Sequence, residues 1–474
     1  MKHTKIIATL GPVSGSRGMI RELALAGADV FRLNFSHGDP EWRTEVIQSI
    51  RQASEELDRP IAILADLQGP RIRTEVTFPI DVKRGFSLRV CELSERIRFS
   101  TDDPVVALDT PGILGRVAVG HRILVEDGLI GLTVTKIATG YVEAQAENDG
   151  TIKNRKGVIL PDTLLDLPIL SKKDKEDLAF ILREGLEYVG LSFVGSVADI
   201  ESVRREMDVV AGPAAKKPLI CSKIERKAAL RALREIIRAS DCAMVARGDL
   251  GIEMPESEIA ILQKQIIAES LREVRPVIVA TQMMQSMVAN PRPTRAEVSD
   301  VSNAVIDHAD AVMLSEETAA GKYPVETVAT MREIIEKTEE SPFDDIYQAL
   351  DLNLKTEYAV MVRSVYELSQ SFRVKAILIL SMSGFTARLL SHFRPDARLL
   401  VATNSVETWR QLALVWGVEP YLFAGDKNLD TLIERFMHDL KSRGILMPDD
   451  QVAVFYGRTP EQSTMKLVGI RTIH

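Results

Sequence analysis

Leu219-Ile220-Cys221-Ser222-Lys223-Ile224-Glu225 is an apolar run that closes on a cation and a carboxylate. Side chains alternate along a strand, so Lys223 and Glu225 point to the same side. The same kind of run recurs in both directions. Downstream lie Cys242 to Val245, Val277 to Ala280 and Ala311 to Leu314; upstream lies Tyr188 to Phe193 and, beyond a gap, Ile61 to Asp66, Asp29 to Asn34 and Lys5 to Thr9. Each is followed by an amphipathic stretch of helical period. Eight strand–helix units are the count of a (β/α)8 TIM barrel, whose chemistry gathers at the C-terminal ends of the strands. The continuous apolar character of most runs suits a parallel sheet covered on both faces.

The gap, from Leu67 to Pro161, alternates and is rich in Gly, Val and Thr, as in Arg122-Ile123-Leu124-Val125-Glu126-Asp127-Gly128 and Leu132-Thr133-Val134-Thr135. It reads as a compact β-rich insert standing over the strand ends as a lid domain. Asp174-Lys175-Glu176-Asp177-Leu178 opens a helix, and the barrel rhythm resumes. From Ser341 a third unit begins, with strands expected at Ala376 to Leu380, Arg398 to Ala402, Pro420 to Phe423 and Val452 to Tyr456. It reads as an open-sheet α/β domain. The expected division is 1–66 with 162–340 for the barrel, 67–161 for the lid and 341–474 for the C-terminal domain.

The size and balance agree with this. The chain has 474 residues, 45% hydrophobic and 27% charged, which excludes a disordered chain and a small disulfide-stapled scaffold. The formal charge of −8 argues against a dedicated nucleic-acid binder. Cys91, Cys221 and Cys242 show no metal-like spacing and fit a reducing, cytoplasmic location. The apolar run Ile6 to Leu10 is shorter than the ~7–15 residues of a signal-peptide core. No apolar stretch reaches the ~18 residues of a membrane span. Neither a nucleic acid nor a membrane is expected as partner.

Several strand ends carry groups suited to anions and metals. Arg32, Asn34 and Ser36 share one side at the end of the second run; a guanidinium fork suits phosphate or carboxylate, and the neutral oxygens suit hard cations. The third run ends in Asp66-Leu67-Gln68-Gly69-Pro70-Arg71-Ile72-Arg73, a surface turn or a polyphosphate cradle. Lys223 and Glu225 are either a structural ion pair or a site, because burying them without purpose is costly. In Ala246-Arg247-Gly248-Asp249-Leu250-Gly251-Ile252-Glu253 the glycines admit an anion close to the backbone. Asp249 adds a second carboxylate able to share Mg²⁺ with Glu225. Thr281 puts a hydroxyl on the same rim, as a helix cap or a functional group.

These segments, with Thr4 to Pro12, Ala280-Thr281-Gln282-Met283 and Pro293-Thr294-Arg295-Ala296-Glu297-Val298-Ser299-Asp300, resemble pyruvate kinases along essentially the whole chain. The resemblance implies a barrel, an inserted lid and a C-terminal α/β domain. It also implies a homotetramer, and phosphoryl transfer from phosphoenolpyruvate to ADP giving pyruvate and ATP. It assigns Arg32, Gly248, Asp249 and Thr281 to phosphoenolpyruvate, Lys223 to the transition state and Glu225 with Asp249 to Mg²⁺ or Mn²⁺. Arg73 and Lys156 fall to the nucleotide. Asn34, Ser36, Asp66 and the carbonyl of Leu67 match a monovalent-cation pocket. Many relatives read Asp-Thr-Lys-Gly-Pro-Glu where this chain has Asp66 to Arg71, which looks like the K⁺-independent branch. Arg71, always protonated, is expected to replace the ion, so K⁺ is not expected to be required. Ser381-Met382-Ser383-Gly384-Phe385-Thr386 resembles an effector loop, with Ser381, Ser383, Gly384 and Thr386 facing a sugar phosphate or nucleotide.

Asp162 and Glu316 depart from the family's usual residues, and the sequence assigns neither an effect. Two other readings share some of the residues. One is a Mg²⁺-dependent barrel aldolase or lyase acting on phosphoenolpyruvate or pyruvate, which would need neither lid nor nucleotide. The other is a metabolite-binding regulator, which would have no use for Lys223, Glu225 and Asp249 together.

Overall fold

The computed structural model describes residues 2–101, 103–163, 167–344, 357–423, 429–457 and 466–473. Eight parallel strands close into a barrel: β1 (Lys5–Leu10), β2 (Val30–Asn34), β3 (Ala62–Asp66), β4 (Tyr188–Leu191), β5 (Leu219–Ile224), β6 (Cys242–Ala246), β7 (Val277–Ala280) and β8 (Ala311–Leu314). Each pairs with its sequence neighbours, and β1 pairs with β8 to complete the circle. The runs read from the sequence are these strands, shifted by a residue or two at the ends. The largest shift is β4, which stops at Leu191 because Phe193 takes φ +62° and turns the chain out of the sheet.

Alternation divides each strand between two cores. Ile6, Phe31, Ile63, Val189, Ile220, Val245, Val279 and Val312 face outward to the helices. Ile7, Val30, Leu64, Tyr188, Cys221, Met244, Ile278 and Met313 fill the barrel interior. That inner cluster also contains Ala413 and Leu414, which belong to the C-terminal domain's 3₁₀ turn Leu412–Leu414. The turn closes the floor of the barrel at the N-terminal ends of the strands. There the Tyr188 hydroxyl donates to the Gln411 carbonyl at 2.7 Å, and Lys5 Nζ donates to the Val418 carbonyl at 2.9 Å.

Between β3 and β4 the insert forms a closed barrel of its own. Its seven strands are Ile72–Glu75, Ser87–Glu92, Val105–Leu108, Arg122–Val125, Ile130–Ala138, Tyr141–Ala146 and Gly157–Ile159. Its core is aliphatic, with Val90, Leu132 and Val142 at its centre. The C-terminal sheet contains β9 (Ala376–Leu380), β10 (Arg398–Thr403), β11 (Val418–Leu422), β12 (Gln451–Gly457) and β13 (Lys466–Thr472), in the order β11-β10-β9-β12-β13. The sequence suggests only the first four. The fifth, β13, runs antiparallel to β12 and reads weakly because Gly469 and Arg471 interrupt its apolar pattern. Among the described residues, no helix is long and apolar enough to cross a membrane.

Candidate active site

The inner face of the barrel changes character with height. Val30, Leu64 and Cys221 are apolar; one step further up the same strands stand Arg32, Asp66 and Lys223. Period-two alternation therefore carries these charges to the C-terminal mouth of an otherwise dry interior. Arg32, Asn34, Ser36, Asp66, Arg71, Ser192, Lys223, Asp249 and Thr281 line this mouth, so six separate segments converge there. Asp66 lies against the backbone of Gly190 on β4. A Cβ at that position would sit 3.1 Å from Asp66 Oδ1 and 3.4 Å from its Cα, so any larger residue there would press on the carboxylate and shift it by a few tenths of an ångström.

Lys223 is the hub. Its ammonium donates to Ser192 Oγ at 2.7 Å and lies 3.3 Å from Glu225 Oε2 and 3.5 Å from Asp66 Oδ1. Burial alone would discharge it, but Asp66, Glu225 and Asp249 together outweigh burial and hold it protonated well above the ordinary lysine range. Arg32 grips the other oxygen of Asp66, with Nε at 2.8 Å and a terminal nitrogen at 2.7 Å. Burial pushes Asp66 up, yet Lys223 and Arg32 bring it below the usual carboxylate value. Glu225 goes the other way: burial pushes it up to about 7, with Lys223 opposing and Asp249 adding. Its Oε1 accepts from the Phe193 N–H at 2.6 Å. Glu225 Oε2 and Asp66 Oδ1 are buried with no hydrogen-bond partner, so each retains unused acceptor capacity beside a cation. That donor set, with Asp249 on the same mouth, suits a hard divalent ion completed by substrate oxygens and water. It is less suited to an all-protein cage, and among the described residues no group of three or more His, Cys, Asp or Glu is placed to hold a metal.

On the opposite rim, the Gly248 N–H donates to Thr281 Oγ1 at 2.9 Å. Arg247, quoted with its motif but given no role in the sequence reading, donates to the Thr281 carbonyl at 2.6 Å and to both oxygens of Asp300 at 2.8 and 2.7 Å. Ser192 is the other residue missed. Its hydroxyl bridges Lys223 and the Leu67 carbonyl, the latter at 2.9 Å. The signal for Arg247 was the Pro293 to Asp300 segment, which supplies its carboxylate. No sequence signal marked Ser192.

Of the expected monovalent-cation group, Asn34, Ser36, Asp66 and Leu67 all line the mouth. Asn34 Oδ1 already accepts from the Ser36 N–H at 3.1 Å, Asp66 Oδ2 is held by Arg32 and the Leu67 carbonyl by Ser192, while Asp66 Oδ1 keeps its acceptor capacity beside Lys223. Arg71 lines both this mouth and a cleft beneath the lid edge Gly157–Ile159, a cleft that also reaches Asp249. Arg73 and Lys156 line neither. Arg73 pairs with Gly157 in the lid sheet, and Lys156 is tied to Glu126 at 2.5 Å. At the Asp162 departure, the carboxylate accepts from Arg122 Nε at 3.0 Å and so ties the chain after Gly157–Ile159 to the lid strand Arg122–Val125. Glu316 accepts from Gln285 at 2.8 Å and lines neither the mouth nor that cleft. In the C-terminal loop, Ser383 and Gly384 stand at the turn while Ser381 and Thr386 are buried. Arg388 reaches back to the Ser383 carbonyl at 3.2 Å.

A parallel barrel with a β-barrel lid, and a mouth of fixed cations and carboxylate oxygens without hydrogen-bond partners, defines a barrel enzyme whose site suits an anionic substrate and a hard cation. Residues 1–328 match the family model described as pyruvate kinase, barrel domain, and residues 359–468 match pyruvate kinase, alpha/beta domain. Pyruvate kinase 2 of Synechocystis is 41% identical over 432 residues, 89% of this chain and 71% of the relative. A pyruvate kinase of Geobacillus stearothermophilus is 38% identical over 466 residues, 96% and 78% of the two chains. The crystal structure of a pyruvate kinase from Cryptosporidium parvum superposes with a TM-score of 0.93 at 30% identity, covering 100% of this chain and 96% of the other. The chain belongs to the pyruvate kinase family.

Proposed function

We propose that this enzyme transfers the phosphoryl group of phosphoenolpyruvate to ADP at the barrel mouth, giving pyruvate and ATP in the last step of glycolysis. The supporting observation is the Lys223 hub: one buried ammonium between two carboxylates whose facing oxygens lack hydrogen-bond partners. Phosphoryl transfer needs positioning and charge neutralisation far more than covalent help. Lys223 and Arg32 meet the phosphate and carboxylate of phosphoenolpyruvate, and the Gly248 and Asp249 backbone faces the same ligand. Glu225 and Asp249 would hold Mg²⁺ or Mn²⁺, which supplies further neutralisation of the migrating group. Thr281 stands by the carbon that receives a proton once the phosphoryl group has left. ADP approaches from the lid side, where closure would bring Arg73 and Lys156 to its phosphates and exclude water.

Arg71 carries the finer reading. It is exposed at the mouth beside Asn34, Ser36, Asp66 and Leu67, where its guanidinium takes the part of a monovalent cation. The loop at Ser383 and Gly384 is read as the seat of a phosphorylated activator, with Ser381 and Thr386 shaping it from below. The enzyme is further read as a homotetramer working in a reducing cytoplasm, divided at 66, 162 and 341. A coupled assay of ATP formation from phosphoenolpyruvate and ADP with Mg²⁺ tests the activity. Equal rates in KCl and in tetramethylammonium chloride support the role of Arg71; strong stimulation by K⁺ refutes it.

A further inference from the structure

Thr281 is held in a conformation that L residues avoid. Its φ is +69°, and Gln282 follows at +55°. Residues held there are strained and persist only where the surroundings impose them. Two consecutive residues at the end of β6 impose it here. Gly248 donates its N–H to the Thr281 hydroxyl oxygen, and Arg247 donates its guanidinium to the Thr281 carbonyl. The guanidinium is anchored by its two-point contact with Asp300, and the Arg247 side chain is only 10% exposed.

Asp300 is itself fixed. It lies on the helix Arg295–Ile306, whose start carries a reciprocal cap between Thr294 and Glu297. Glu297 also accepts from the Ser286 N–H and hydroxyl at 2.7 and 2.5 Å. A rigid post therefore presents a carboxylate to Arg247, and Arg247 presents a donor to a strained backbone. Gly248 uses Thr281 Oγ1 as an acceptor, so the hydroxyl's own proton remains available to donate at the mouth that Thr281 lines.

We propose that the Arg247–Asp300 pair is a positioning device for the protonation step, holding Thr281 in its left-handed conformation so that its hydroxyl orders the proton-donating water. This rests on the reading of Thr281 as the group beside the reacting carbon. In that step a water O–H bond breaks and a C–H bond forms at the enolate methylene. The C=C electron pair becomes that C–H bond, a lone pair of the enolate oxygen makes the ketone carbonyl, and the hydroxide left behind is reprotonated from solvent.

The test uses the full-length enzyme with Mg²⁺ and the variants Asp300→Asn, Arg247→Lys, Thr281→Ala and Asp300→Asn/Thr281→Ala. Exchange of the pyruvate methyl hydrogens in deuterium oxide with ATP present is followed by NMR, beside forward kcat and KM for phosphoenolpyruvate. Each single variant is expected to lose about 10- to 100-fold in exchange and kcat, with KM within about twofold. The double variant is expected to be no slower than Thr281→Ala alone, since groups acting as a unit are non-additive. Multiplicative losses in the double variant overturn the positioning while leaving Thr281 its role. Unchanged exchange in Thr281→Ala overturns the role of Thr281 itself. Should Asp300→Asn fail to fold, Arg247→Lys with Thr281→Ala gives the same comparison.

Discussion

Replacing Lys223 by methionine removes the charge at the mouth while keeping nearly the same volume. The ammonium lies 3.3 and 3.5 Å from two carboxylates, so a substrate phosphate seated among these groups is about one contact away. A unit charge at about 4 Å, in the effective dielectric of a protein site, is worth roughly 4 kcal/mol. If that attraction is realised chiefly as charge spreads over the migrating group, kcat falls by roughly 10³-fold, while KM for phosphoenolpyruvate changes by less than about tenfold because Arg32 remains. The assay is coupled ATP formation under saturating Mg²⁺, with circular dichroism to establish that the fold is intact. A kcat within about tenfold of wild type, or a loss expressed wholly in KM, would refute the reasoning: Lys223 would then be a structural counter-ion for Asp66 and Glu225.

Arg71→Gln should leave activity in KCl close to wild type and lower it about tenfold in tetramethylammonium chloride, as expected for loss of one partly screened charge; equal rates in the two salts would contradict this. Leu414 is 1% exposed among the barrel-floor residues, so Leu414→Ala should cost about 3–5 kcal/mol, read as a lowered urea midpoint; a loss below about 1 kcal/mol would mean the floor does not depend on it. Burial lowers Lys5 from 10.5 to about 8 despite the opposing pull of Asp29. Between those values the unfolded chain binds more protons than the folded one, so stability rises with pH. Relative to Lys5→Met, the wild type should gain up to roughly 3 kcal/mol from pH 7 to pH 10.5, and parallel stability curves would exclude it.

Much of this molecule is written in local pattern. Barrel strands covered on both faces must be apolar along their length, so Lys223, Asp66 and Arg32 stand out against them, and alternation tells which charges share the mouth. What the pattern cannot carry is contact across sequence distance. Arg247 meets Asp300 only because β6 and the helix after β7 are neighbours in the closed barrel. Ser192 reaches Lys223 because the strands that carry them are paired, Leu191 standing opposite Ser222. Leu412–Leu414 has the composition of any short apolar turn; only the folded barrel offers it a hole to fill. The lid's seven-strand closure depends likewise on pairings between distant short strands, such as Arg73 with Gly157.

The turn at the barrel floor makes the C-terminal domain part of the catalytic domain's packing. Ala413 and Leu414 belong to the same continuous apolar column as Met244 and Met313, which form the bed of the catalytic mouth. Interiors packed to crystal density transmit displacement because they have little free volume to absorb it. A rotation of the distal domain must therefore either pull its stopper and leave a hole or push on the column like a piston. Excising that domain would leave the enzyme a tube with an open bottom.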